Sequence, residues 1–240
     1  MTGTAMAEAG MAGSGASRGA DAAALYRLMA WLSPAYPVGA FSHSHGLEWE
    51  VEAGNVCDAQ GLSRWIGDIL RHGGGRQDAI LLAATWRAIR GGDAAGLAMI
   101  AELAAALSPS RERRTETLSQ GRAFALATEA AWPAGVGEDP ADLAYPVAVG
   151  LAAARHGIAL EPALVAYLHA FAANLVSAGV RLVPLGQTDG QRAIARLEPV
   201  VAAVAAEAMA ADLEVIGGCA LLADIASMRH ETQYTRLFRT

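Results

Sequence analysis

The sequence contains 240 residues, 53% of them hydrophobic, and carries a formal net charge of −6 at pH 7. This length is sufficient for a substantial core without disulfides, and the abundance of alanine favours helical packing over membrane insertion. The acidic charge and the absence of a basic stripe argue against a nucleic-acid partner, and the complete lack of lysine excludes a Walker A phosphate loop and a Schiff-base enzyme.

Residues 1–20 are dominated by Gly, Ala, Ser and Met. They have neither a basic n-region nor a continuous apolar stretch, so they do not resemble a signal peptide, and we expect a disordered tail. Residues 21–240 are predicted to form one domain. Cys57 and Cys219 form no CxxC pair and are interpreted as reduced structural thiols, which favours a cytoplasmic location.

The first part of this domain is predicted to consist of helices with clear end signals. Asp21 is a candidate N-cap for a helix that ends before Ser33-Pro34. A short helix is expected over residues 47–53. Asp58 is expected to cap the next helix, and Gly73 to Gly75 provide its stop signal.

The middle of the chain continues this helical pattern. Residues 77–90 and 93–107 are predicted to form an antiparallel pair of helices. A helix from 109 to about 131 opens with the charged run Arg111 to Glu116, which is interpreted as a solvated face. Asp139 is expected to cap a further helix that extends toward His156.

Residues 162–183 predict a long apolar helix. It approaches membrane-spanning length, but it contains His169 and Asn174 and lacks flanking aromatic belts, so no membrane span is expected. A capping box at Thr188 is expected to open the next helix, and Pro199 to kink it. No strand alternation occurs, so the predicted fold is an all-α, single-domain bundle of roughly eight to ten helices with a disordered N-terminal tail.

The loop from Ser33 to Glu48 concentrates Pro, Gly, His and aromatic residues in one short stretch. Pro34 and Pro37 restrict the backbone, whereas Gly39 and Gly46 permit angles that are closed to other residues. The stretch is therefore predicted to be an ordered loop. It is either a plain connector or a functional surface, since ordered loops carry function disproportionately.

Two catalytic interpretations of the sequence fail, and the metal-binding signal of the loop histidines is weak. His43 and His45 lack a nearby third metal ligand, and the nucleophile elbow fails because Ser42 stands where glycine is needed. His230-Glu231 lacks a second histidine four residues on, because position 234 is Tyr234. The residues therefore favour a non-enzymatic binding or assembly factor without a cofactor.

Four stretches carry a family resemblance when they are taken in order. The first is the loop, and the second runs from Ser110 to Glu116 and on to Gln120-Gly121. The third runs from Asn174 to Arg181 and on to Gln187 and Gln191, and the fourth from Met228 to Glu231 and Arg236 to Phe238. Together they resemble the urease accessory protein UreF family over roughly residues 25–239. His43 departs from the pattern, since that position is more often aromatic.

The resemblance implies an all-α scaffold with no catalytic activity of its own. UreF-like proteins bind the accessory protein UreD, also called UreH, and the GTPase UreG, and the assembly helps to insert nickel into apo-urease. A homodimer within the complex is also implied. Glu48 and the arginines from Arg111 to Arg114 are candidates for orienting UreG and for modulating its GTP hydrolysis.

By position, the resemblance assigns three groups of residues to partner binding. The partner-facing loop contributes Pro37, Gly39, Phe41, Ser44, Gly46, Leu47 and Glu48, and the C-terminal docking tail contributes His230, Glu231, Arg236, Leu237 and Phe238. Two further partner-binding candidates are Arg181 and Gln187. Leu237 and Phe238 are expected to enter a pocket of the partner. The alternative is a nickel carrier that uses His43, His45 and His230.

Overall fold

The computed structural model describes residues 19–134 and 142–239, and in these ranges the fold is all-α, as predicted. The helices are α1 (19–31), α2 (Leu47–Glu52), α3 (Ala59–His72), α4 (Gly74–Gly91), α5 (Ala94–Ala106), α6 (Arg111–Ala131), α7 (Tyr145–Arg155), α8 (Leu160–Leu182), α9 (Gln187–Ala210) and α10 (Leu221–His230). Short 3-10 turns lie at Ala40–Ser42 and Leu213–Val215. The predicted disordered tail falls mostly outside the described residues, and its last two residues, 19 and 20, are helical.

Helices α4 and α7 form the centre of the bundle. α4 packs against α3, α5, α7, α8 and α9, and α6 covers the other side of α7. Residues 146–154 of α7 are all buried, and so are residues 79–85 of α4. A helix that is apolar around its whole circumference belongs in a core, which explains why these segments lack polar faces.

Two glycines allow α7 to lie close to its neighbours. A Cβ atom on Gly150 would lie 2.7 Å from the carbonyl oxygen of Leu82 in α4. A Cβ atom on Gly121 in α6 would lie 2.8 Å from the carbonyl carbon of Ala144. Real side chains do not make such contacts, so both helix crossings depend on glycine.

Some predicted helix boundaries are confirmed and others are wrong. Asp58 caps α3, because its carboxylate accepts a 2.6 Å hydrogen bond from the Gly61 amide. Gly73 ends α3 as expected, but Gly74 and Gly75 already belong to α4. A Cβ atom on Gly75 would lie 2.7 Å from the Cα of Leu70, so the two helices reverse direction within a space that only glycine fits.

Other expected caps are not found. Asp21 lies inside α1, because residues 19 and 20 are already helical. Thr188 lies in the first turn of α9, whose N-cap is Gly186, and α9 continues through Pro199 without a break. Packing against α3 and α8 compensates for the hydrogen bond that proline removes. Asp139 lies outside the described residues.

Helix α8 is long and apolar enough to cross a membrane by length and composition, with a mean hydropathy of 1.6 over its most apolar window. Half of that window is buried within this fold, which is typical of a core helix. Cys57 and Cys219 are free, as predicted, but both are exposed. They contribute nothing to the core, so their interpretation as structural thiols is wrong.

Candidate partner-docking surface

The loop from Ser33 to Glu48 is ordered by two left-handed turns. Gly39 has φ of 75° and Gly46 has φ of 78°, angles that favour glycine. A Cβ atom on Gly46 would lie 2.6 Å from the Ser227 amide nitrogen. α10 therefore crosses directly over the loop, and Gly46 is required both for the turn and for this crossing.

Side chains from α6 and α8 fix the rest of the loop. Arg181 on α8 donates a 2.9 Å hydrogen bond to the Phe41 carbonyl, and Asn174 donates one of 3.4 Å to the His43 carbonyl. His45 Nε2 lies 2.8 Å from the Glu116 carboxylate on α6. Arg181 and Asn174 therefore connect the otherwise apolar helix α8 to the backbone of the loop.

Glu116 is the centre of a buried polar cluster. Its carboxylate pairs with the Arg113 guanidinium, accepts a 3.0 Å hydrogen bond from Gln120 and lies 3.7 Å from His43 Nδ1. Burial alone would raise the pKa of Glu116, but Arg113 and the neighbouring histidines hold it well below its usual value. The cluster therefore places an ionised carboxylate beneath the loop.

The residues His45, Asp78, Arg113 and Thr117 line two cavities, of about 390 and 190 Å³. Burial lowers the pKa of His45 to about 4, and the positive charge of Arg113 adds to this effect. Burial raises the pKa of Asp78 to about 6, although Arg113 and a 2.8 Å hydrogen bond from the Tyr167 hydroxyl oppose the change. His45 is consequently neutral at pH 7.

The depressed pKa of His45 predicts a specific pH dependence. Because the unfolded chain binds this proton at about pH 6.5 and the folded chain only at about pH 4, His45 contributes stability that is lost as the pH falls through this window. Asp78, with its raised pKa, acts in the opposite direction. Between pH 7 and pH 5, the wild-type protein is expected to lose about 2 kcal/mol of its free energy of unfolding through His45. The His45→Gln variant is expected not to show this loss. Urea denaturation at both pH values measures the difference, and parallel pH profiles for the two proteins would contradict it.

The C-terminal tail, residues 231–239, is folded against the loop and α2. The Glu48 carboxylate accepts hydrogen bonds from the backbone amides of Leu237 and Phe238, at 2.7 and 3.0 Å. The Arg239 amide donates a 2.8 Å hydrogen bond to the Ser42 carbonyl. Glu48 therefore binds this chain's own tail and is buried beneath it.

Helix α6 holds the other side of the tail. Glu112 accepts a 2.6 Å hydrogen bond from Arg236, and its second carboxylate oxygen lies 2.8 Å from His230 Nδ1. Glu231 in turn accepts a 3.0 Å hydrogen bond from the Arg111 amide at the start of α6. An acidic group at this position is favourable, because the first amides of a helix have no partners within the helix.

Phe238 is not a projecting side chain. Its ring is only 4% exposed, and the Arg181 guanidinium lies 4.5 Å from the ring centroid. Phe238 therefore already occupies a pocket of its own chain in this arrangement of the tail, and its entry into a partner's pocket stays a prediction. Leu237 is 75% exposed and remains available for contact.

The predicted docking residues divide by exposure. Pro37, Phe41, Arg181, Gln187, Glu231, Arg236 and Leu237 are exposed, Gly39 is half-buried, and Ser44, Gly46, Leu47, Glu48, His230 and Phe238 are buried. The loop and tail residues, with Arg181, come together in one region. Gln187 lies at the start of α9 and takes no part in the contacts described above. The buried members can only act on a partner by shaping the surface.

Sequence reasoning missed the acidic residues of α6. Glu112 and Glu116 belong to a charged run that was interpreted as a solvated face, yet Glu116 is buried and Glu112 is mostly covered. Their spacing of four residues places both on one side of the helix. That spacing is the signal from which a shared contact with the loop and tail could have been predicted.

The outer face of α10 is apolar and exposed. Its side chains Leu221, Leu222, Ile225 and Met228 follow helical spacing, and Leu222 is 69% exposed. Tyr234 and Leu237 of the tail are also exposed. We name these six residues the apolar face. A group of large, exposed apolar side chains on one helix and the segment that follows it is typical of a protein interaction site.

The side chains around the loop form a poor binding site for a metal ion. Across residues 19–134 and 142–239, no group of three His, Cys, Asp or Glu side chains is placed to hold one. His43 and His45 share Glu116, but Arg113 pairs with the same carboxylate. A guanidinium at that position repels a cation.

Comparison with known proteins agrees with the sequence motifs. The family profile described as UreF matches residues 56–198. The chain is 55% identical over 223 residues to a urease accessory protein UreF from Rhodopseudomonas palustris (strain HaA2), covering 91% of this chain and 94% of the relative. It is 54% identical over 229 residues to one from Bradyrhizobium sp. (strain ORS 278), covering 94% and 95%. The chain therefore belongs to the UreF family of urease accessory proteins.

Proposed function

We propose that this protein is a non-enzymatic scaffold of urease maturation in the cytoplasm. It binds UreD/UreH and the GTPase UreG, acts as a homodimer within that complex, and assists nickel insertion into apo-urease. These partners follow from the family resemblance. The observation that carries a docking role is the apolar face, because large exposed side chains at helical spacing have no evident use in the isolated chain.

The apolar face is proposed to bind UreD/UreH. Arg229 and Arg236 lie beside its apolar side chains and are themselves exposed. Such a surface fits an apolar patch of the partner that is rimmed by acidic groups, since rim charges guide association and select the partner. The hydrogen bond from the Leu237 amide to Glu48 holds the backbone of Leu237 in place, so little backbone freedom is lost there on binding.

A separate region is proposed for UreG. Within the run from Arg111 to Arg114, Arg113 is engaged with Glu116, whereas Arg111 and Arg114 are exposed. Arg111 also borders a groove with Phe41, His43 and Arg239. An exposed arginine that is offered in trans can stabilise the charge that develops in GTP hydrolysis. Because Glu48 is buried, it is not proposed to contact UreG directly.

Complementation tests the function directly. Cells that express urease and its other accessory proteins but lack their own UreF-family protein are expected to recover nickel-dependent urease activity when this chain is supplied. The same cells carrying an empty vector provide the control. Normal levels of intact chain without any recovery of urease activity would contradict the proposal.

A further inference from the structure

His230, at the end of α10, lies between two carboxylates from two other helices. Its Nδ1 lies 2.8 Å from Glu112 on α6, and its Nε2 lies 3.1 Å from Glu48 on α2. The imidazole is 0% exposed, so water cannot replace either partner. The ring is the point at which α2, α6 and the tail meet.

The two short contacts point to a ring that donates from both nitrogens. Ionised carboxylates only accept hydrogen bonds, so a ring that bonds to two of them is an imidazolium. The Arg236 guanidinium, on the second oxygen of Glu112, supplies the other positive charge. Two carboxylates and two cations thus form a balanced set, as buried charges require. Further arginines contact or lie near the tail and loop, among them Arg181 beside Phe238, Arg111 at Glu231 and Arg239 near His43.

We infer that His230 is a positioning residue whose imidazolium bridges Glu48 and Glu112 and thereby holds the C-terminal tail in its docking-competent position. The bridge orients Glu48, whose two oxygens receive the Leu237 and Phe238 amides. Those two hydrogen bonds bury Phe238 and leave Leu237 exposed. Only the consequence for partner binding rests on the proposed function. The bridge itself is a property of the isolated chain.

Two measurements on the full-length chain test the bridge. Nitrogen chemical shifts of the His230 ring are expected to report protons on both nitrogens at pH 7, whereas a neutral tautomer would overturn the inference. His230→Gln removes the charge and cannot bridge both carboxylates. Hydrogen exchange of the Leu237 and Phe238 amides is expected to accelerate about tenfold to hundredfold in this variant, because charge-assisted hydrogen bonds are lost.

His169→Gln is the matched control, since His169 is exposed on α8. It is expected to leave exchange at Leu237 and Phe238 unchanged. Unchanged exchange at these amides in His230→Gln, with the bundle still folded by circular dichroism, would contradict the bridge. If His230→Gln releases the tail but still binds UreD/UreH with wild-type affinity, the bridge stands and the proposed docking role of the tail fails.

Discussion

Replacement of Glu48 by glutamine is expected to release the C-terminal tail and to lower the free energy of unfolding by about 3 kcal/mol. The buried carboxylate accepts from two tail amides and faces His230, and a neutral amide cannot accept from all three donors. The imidazole would then lie buried beside an amide instead of a charge. Urea denaturation measures the loss of stability, and binding to UreD/UreH is expected to weaken more than tenfold because Leu237 is no longer held.

Glu50→Gln on the same helix provides the control. Glu50 is also buried, but its carboxylate accepts a 2.8 Å hydrogen bond from Asn55, which is not part of the tail. It is expected to lose some stability without any effect on tail amide exchange. Equal effects of the two substitutions on the tail would show that Glu48 acts only through general stability.

Gly121→Ala is expected to destabilise the bundle by about 3 kcal/mol, because a methyl group here would overlap the backbone that leads into α7. For a chain of this size the melting temperature should fall by roughly 6 to 12 °C. The docking surface is expected to be disturbed as well, because α6 carries Glu112, which contacts the tail, and Glu116, which contacts the loop. Thermal denaturation followed by circular dichroism measures the effect.

Gly91→Ala is the corresponding control. Gly91 is the last residue of α4, and a Cβ atom there meets nothing within 4 Å. Alanine is a better helix former than glycine, so this variant is expected to be neutral or up to about 1 kcal/mol more stable. A melting temperature for Gly121→Ala within a degree of wild type would mean that α6 and α7 do not pack as closely as described.

The sequence was sufficient to predict the all-α fold and the Asp58 cap, because helical spacing and capping depend on residues within one or two turns of each other. Boundaries that depend on tertiary packing were less predictable. Gly74 and Gly75 are poor helix formers, yet they open α4, and at Gly75 only glycine fits against Leu70. At Pro199, where a kink was expected, α9 continues as one helix that packs against α3 and α8.

The docking surface was predictable in its residues but not in their roles. The sequence motifs identified the loop and the tail. The hydrogen bond between Glu48 and His230 could not be predicted, because it joins residues 182 positions apart. No local pattern encodes such a contact. The exposure of the apolar side chains of α10 emerged only from the structure, because the same helical spacing describes a buried and an exposed face.

The central claim is that α10 and a tail held by Glu48 and His230 form one docking surface. The most direct measurement is recovery of UreD/UreH with this chain and with a variant that lacks residues 236–240, both purified by the same tag and checked for equal helicity. The account predicts recovery of the partner with the full-length chain and little or none with the shortened one. Equal recovery with both chains would contradict it.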